Sequence, residues 1–289
     1  MQLGSIGVWN RILRRDEPET YAAAAELEEL GYTTLWFPGG QQAGLGEHIR
    51  KMLGATRSAV VATGIVSIWT HPARATAEMH ASLTQAFPGR FLLGIGISHP
   101  NVVQTAGITY EKPLQKLRGY LDELDSARLP VPLDERILAS LGPLSLRLAR
   151  DRAAGTHPYF MPVEHTRVSR EAVGPSKIVA PELMVVVESD PERARAIARP
   201  SIDRYLHAPN YVNNLLRMGF SSDDIGNGGS DRLVDALIAW GEPSKIMQRV
   251  REHHEAGADH VCLQVLTEAP DDAKAAMEGY RQLAPALTH

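Results

Sequence analysis

The sequence predicts an α/β protein: one (β/α)8 barrel of the TIM type over residues 1–289, with a helical insertion at about 199–242 near the seventh strand. Three observations carry this. β-rich runs alternate with helical patterns along the chain. The strand runs are almost continuously apolar, as parallel strands covered by helices are. A length of 289 residues is usual for such a barrel and exceeds that of most small domains.

LGSIGVW (3–9) reads as the first strand, and PETYAAAAELEELG (18–31) as the helix after it, opened by Pro18 and closed by Gly31. TTLWFP (33–38) is the second strand. A polar, glycine-rich loop and a helix through EHIRKMLGATR (47–57) follow. AVVATGIVSI (59–68) is the third strand, and PARATAEMHASLTQAF (72–87) its helix. FLLGIGI (91–97) is the fourth, followed by KPLQKLRGYLDELDSA (112–127). ILASLG (137–142) with the helix LSLRLARDRAAG (144–155), then THPYFM (156–161), supply the fifth and sixth strands. ELMVVVE (182–188) is the seventh, and DPERARAIA (190–198) starts a helix. After the insertion, SKIMQRVREHHEAG (244–257) is helical and HVCLQVL (260–266) is the eighth strand. The rival fold, a doubly wound sheet, gains nothing from GIGISHP, because a dinucleotide fingerprint needs a glycine where His99 stands.

Net charge is −4, and no basic patch with interleaved aromatics is present, so no nucleic-acid partner is expected. No apolar run is long enough to span a bilayer, and the first residues show no basic leader before an apolar stretch. The single cysteine, Cys262, excludes an internal disulfide, and a reducing, cytoplasmic setting is expected.

Barrels of this kind gather chemistry at the C-terminal ends of their strands. Trp9, Gly39, Trp69, His71, Ser98, His99, Gly142, Pro143, His157 and Tyr159 all fall at or just beyond such ends. Gly64, Gly94 and Gly96 lie inside adjacent strands. Either they admit a flat group to the backbone or they relieve crowding inside the barrel, and spacing alone leaves both open. Pro143 fits a helix N1 position whose free amides can bind an anion, although an isolated Gly-Pro is more often an ordinary turn. EHHEAGADH (252–260) lacks zinc-helix spacing and reads as a solvated helix end. Cys262 reads as a small core residue, and no metal site, nucleophile elbow or Walker loop is found.

The segments GYTTLWFP (31–38), VVATGIVSIWTHP (60–72), PGRFLLGIGISHP (88–100), ASLGPLSLRLARDRAAGTHPY (139–159), NYVNNLLRMGF (210–220), GGSDRLVDALIAWG (228–241) and GADHVCLQVL (257–266) resemble, in order and spacing, the luciferase-like monooxygenase superfamily. The resemblance is to its deazaflavin (coenzyme F-420)-dependent oxidoreductases in particular. It implies a ring lying against a third-strand bulge that often holds a non-prolyl cis peptide, matched here by Gly64 and Ile65. It implies further cofactor contacts at Gly39, Gly96, Ser98, Gly142, Pro143, His157 and Tyr159, with Trp9 and Trp69 as apolar pocket walls. The activity implied is hydride transfer between F-420 and a small organic substrate, with His71 or His99 as the base. FMN with a partner reductase is the alternative cofactor reading, and a non-catalytic cofactor-binding protein is a third. One departure is Gly39, where the pattern commonly carries an acid. A homodimer is the expected assembly.

Overall fold

The structure, a computed structural model, describes residues 1–40 and 44–287. Part of the loop expected after the second strand, residues 41–43, lies outside them. The described residues form eleven strands: β1 Ile6–Trp9, β2 Thr34–Phe37, β3 Val60–Thr63, β4 Val66–Ser67, β5 Phe91–Gly96, β6 Arg136–Leu138, β7 Gly155–Thr156, β8 Ile178–Val179, β9 Glu182–Val186, β10 Ile238–Trp240 and β11 Val261–Val265. Their order is β10-β9-β11-β1-β2-β3-β5-β6-β7-β8, with β4 beside β5. Every pairing is parallel.

Two of the barrel strands are broken in the middle. β3 and β4 are halves of the third strand, interrupted at Gly64 and Ile65. β8 and β9 are halves of the seventh. The Ala180 and Glu182 amides donate to the Thr156 and Pro158 carbonyls, and the Cys262 amide donates to Pro181. The segment 178–186 therefore joins both ends of the sheet, and the barrel closes with eight strand positions.

Strand alternation sorts the core. Leu35, Val61, Leu93, Leu183 and Leu263 face outward into the layer shared with the helices. Trp9, Trp36, Ala62, Leu92, Ile137 and Cys262 fill the interior. The covering helices are α1 Pro18–Glu29, α2 Leu45–Ala55, α3 Ala73–Ala86, the short α4 Pro100–Thr105, α5 Pro113–Asp125, α6 Pro143–Arg152 and α7 Val163–Val173. Then come α8 Pro191–Leu206, α9 Pro209–Arg217, α10 Ser222–Ile225, α11 Asp231–Leu237, α12 Pro243–Glu255 and α13 Ala273–Leu283. Proline opens many of them, where its fixed φ suits the first turn and no amide is needed.

α8, whose start was read at 190–198, runs on through Pro200 into the expected insertion and ends at Leu206. The structure departs from the sequence reading in three places. α7 and β8 occupy a stretch the sequence pattern left unassigned. β10, inside the expected insertion, is a strand and extends the sheet beside β9. The segment 252–260 is not simply a solvated helix end, since His253 and His260 are buried. Cys262 is a core residue, as expected.

The broken third strand explains the bare face of β5. A Cβ on Gly94 would stand 1.8 Å from the Thr63 carbonyl oxygen, and one on Gly96 would stand 2.7 Å from Ile65 Cγ1. The glycines thus make room for the bulged strand itself, as the crowding reading of their spacing expects. Thr63 Oγ1 accepts the Gly94 amide at 2.8 Å and donates to the Gly94 carbonyl at 2.9 Å.

Gly94→Ala is expected to cost about 3 kcal/mol or more, because backbone rather than a flexible side chain must move. Gly119→Ala, on the exposed face of α5 with nothing near its Cβ position, is expected to stabilise by roughly 0.5–1 kcal/mol. Urea unfolding of the two variants beside the parent checks both.

Candidate active site at the barrel mouth

The interior builds upward from a layer of aromatic and imidazole rings. Trp36 stacks on His157, with centroids 4.3 Å apart and planes at 16°. Trp36 Nε1 donates to His260 Nε2 at 3.1 Å, and His260 Nδ1 in turn donates to the Gly4 carbonyl at 2.8 Å. His157 Nδ1 donates to the Ala180 carbonyl at 2.7 Å. That bond fixes the tautomer and leaves Nε2 as a buried lone pair with no hydrogen-bond partner. Burial pushes both imidazoles down to about 4, so both are neutral at pH 7.

Above this layer sits the bulge. The Gly64–Ile65 peptide is cis. Trp9 Nε1 donates to the Gly64 carbonyl at 3.2 Å. A Cβ on Gly64 would lie 2.3 Å from Trp9 Nε1 and 3.2 Å from His157 Nε2, so glycine is required where these two rings meet the strand. Gly39 packs against the same bulge: its Cβ position is 3.1 Å from Val66 Cγ2 and 3.2 Å from the Ile65 carbonyl oxygen. A residue with a side chain at position 39 would press directly on the bulge.

The mouth is lined with aromatic rings from two sources. Tyr159 lies 5.0 Å from Trp9 and 5.4 Å from Tyr205 by ring centroids. Its hydroxyl donates to Gln264 Oε1 at 3.0 Å and pairs with the Tyr205 hydroxyl at 2.9 Å. Tyr211 approaches Tyr205 to 5.3 Å and His99 to 5.3 Å. Ser98, at φ 61, turns the chain out of β5 just before His99 caps α4. His99 Nδ1 is buried without a hydrogen-bond partner. Burial lowers the pKa of this imidazole, and an interaction with Asn210 partly offsets that.

The structure therefore brings Trp9, Gly39, Gly64, Ile65, Gly96, His157, Tyr159 and His99 around one bulge and mouth. The other predicted residues make contacts of their own. His71 lines a groove of about 630 Å³ between α2 and α3, together with Arg50, Met79 and Thr76. Trp69 ties its loop to β5, donating from Nε1 to the Ile97 carbonyl at 2.6 Å and packing on Tyr110. Gly142 and Pro143 open α6, and the Arg217 guanidinium from α9 comes within 3.9 Å of the Gly142 Cβ position.

Sequence reasoning missed Glu182, Tyr205, Tyr211 and Gln264. Glu182 is 2% exposed, and burial pushes its carboxyl up to about 8. The signal was present as a single acid opening an otherwise apolar strand run. No group of three or more His, Cys, Asp or Glu side chains arranged to hold a metal occurs among the described residues. No described helix is long and apolar enough to cross a membrane.

The family model described as luciferase-like monooxygenase matches residues 14–128. A curated relative, 5,10-methylenetetrahydromethanopterin reductase of Archaeoglobus fulgidus, is 23% identical over 257 residues, covering 71% of this chain and 76% of the relative. A solved F420-dependent secondary alcohol dehydrogenase, in complex with an F420-acetone adduct, superposes with a TM-score of 0.73 at 16% identity, covering 99% of each chain. The oxygenating constituent of 3,6-diketocamphane monooxygenase from Pseudomonas putida, in complex with FMN, gives 0.69 at 15% identity over 98% of each. The luciferase-like resemblance and the barrel fold stand.

The neutral histidines make stability fall in acid. Their folded pKa values lie below that of a free imidazole, so the unfolded chain binds protons first, and the stability they carry is lost as pH drops from about 6.5 towards 4. The expected slope is roughly 1.4 kcal/mol per pH unit for each histidine. His157→Gln, measured by urea unfolding at pH 4 to 7, is expected to remove one such contribution.

Proposed function

We propose that the chain is an oxidoreductase that uses the deazaflavin F-420 to move a hydride to or from a small organic substrate. The observation that carries this is the third-strand bulge at Gly64 and Ile65. It is walled by Trp9 and Tyr159 and lies at the mouth of a barrel whose fold matches F420-dependent proteins end to end.

The residues present fit such a group. Trp9 and Tyr159 offer flat apolar faces. His99 Nδ1 is a buried polar atom in need of a partner. The α6 N-terminus at Gly142 and Pro143, with Arg217 beside it, can receive a phosphate. Gly39, Gly96 and Ser98 would complete the rim. When bound, a deazaflavin supplies a carbon that gains or gives two electrons together as hydride.

The chain's own part is position, exclusion of water and proton transfer. The rings of Trp9, Tyr159, Tyr205 and Tyr211 keep the mouth dry. His99, held neutral by burial, can accept an alcohol proton at Nδ1. His71, in its groove between helices, is the weaker candidate for that role. Trp69 braces the loop leading out of the third strand. His157, with Nε2 against Gly64, would sense the inner edge of the bulge. An FMN-dependent monooxygenase is the second reading, and the FMN complex of similar fold supports it.

Paired fluorescence titrations with F-420 and FMN check the reading: F-420 is expected to bind more tightly. His99→Ala is expected to lower turnover roughly 10²–10⁴-fold while F-420 affinity stays within about threefold. Arg217→Ala is expected to do the reverse, weakening F-420 about tenfold with turnover at saturation unchanged.

A further inference from the structure

Phe160 has φ 59, a left-handed backbone that a bulky aromatic residue seldom adopts. Such a conformation persists only where its surroundings hold it. Here the hold is a hydrogen bond from the Phe160 amide to Glu182 Oε2, at 3.2 Å. The turn so fixed sends two neighbours into the mouth. Tyr159 goes to Trp9, Gln264 and Tyr205. Phe160 goes to Tyr205 and Tyr211, with centroids 4.9 and 5.3 Å away.

Burying a carboxyl group is costly, so the acid asks for a reason. Glu182 pairs in register with Cys262, which pairs with Gly7, so its neighbours on that side are small and uncharged. Its Oε1 is buried with no hydrogen-bond partner. We propose that Glu182 is a positioning residue of the mouth: its carboxyl pins the left-handed Phe160 turn and thereby sets Tyr159 against Trp9. The structural part stands on contacts within the chain. Only its effect on cofactor binding rests on the function proposed above.

The titratable groups facing Glu182 are Tyr159 beyond β7, Tyr205 on α8, Tyr211 on α9, Cys262 on β11 and Tyr280 on α13. Burial pushes each of them up, so all stay neutral while Glu182 titrates. Burial raises the folded pKa to about 8, so the carboxyl is neutral below it and ionises as pH rises, while the Phe160 amide, a donor, holds both forms and favours the ionised one.

Labelling with ¹⁵N-phenylalanine gives one amide signal for each of five residues, and Phe160 is assigned by its loss in Phe160→Leu. In the parent protein the Phe160 amide is expected to titrate with a midpoint near pH 8. Glu182→Gln keeps an acceptor for that amide but cannot ionise. Its Phe160 signal is expected to lose the transition and keep its slow hydrogen exchange. Glu182→Met has no acceptor, and its Phe160 amide is expected to exchange at least about tenfold faster. F-420 affinity should weaken about tenfold in Glu182→Met and recover in Glu182→Gln. A transition that persists in Glu182→Gln overturns the proposal. So does a fully protected Phe160 amide in Glu182→Met. If the Met variant does not fold, the parent and Gln titrations decide. Expected amide behaviour with no F-420 binding to the parent protein would sink the functional reading alone and leave the role of Glu182 standing.

Discussion

The molecule depends on one close approach, that of β5 to the broken third strand. Thr63 projects its carbonyl into the space a side chain at position 94 would fill. Its hydroxyl locks onto the Gly94 amide and carbonyl in return. That contact lets the chain leave β3, swing through Gly64 and Ile65, and rejoin the sheet as β4. The swing delivers the Gly64 carbonyl to Trp9 and the Ile65 carbonyl to the backbone beside Gly39. Without a bare face on β5 there would be no bulge, and without the bulge the mouth would be the end of an ordinary packed barrel.

Below the bulge the interior is more polar than barrel cores usually are. Its polar rings are nonetheless mostly satisfied by fixed main-chain acceptors: His157 by Ala180 and His260 by Gly4. Burial keeps the imidazoles neutral and the carbonyls orient them, so the floor of the mouth carries dipoles rather than charges. Glu182 follows the same logic as a neutral acid. Such a floor presents no buried ion to compete for a ligand's hydrogen bonds.

The sequence carried the barrel well, since each strand is a short apolar run and many helices are opened by a proline. The bulge at Gly64 and Ile65 was implied by the family resemblance; the spacing of the glycines by itself left two readings open. Other features were hidden for physical reasons. Tyr205 and Tyr211 belong to helices whose pattern says only that one face is covered. That this face meets Tyr159 follows from tertiary packing alone. His260 and Glu182 sit at the beginnings of strands, where polar residues normally face solvent. Only the closed barrel shows that their side chains turn inward. His71 and Trp69 follow the third strand as expected; one lines the groove between α2 and α3 and the other ties its loop to Ile97 at the end of β5.

β10 has a consequence beyond catalysis. β9 meets the lower sixth strand only through the stretch around β8, so its upper edge would otherwise show unpaired amides and carbonyls. β10 covers that edge through Ile238, Ala239 and Trp240. Exposed strand edges are templates for pairing with other chains. The inserted segment therefore moves the open edge of the sheet from β9 to the three-residue β10, and a chain that lacked it would have to blunt the longer β9 by some other means, such as a charge or a proline.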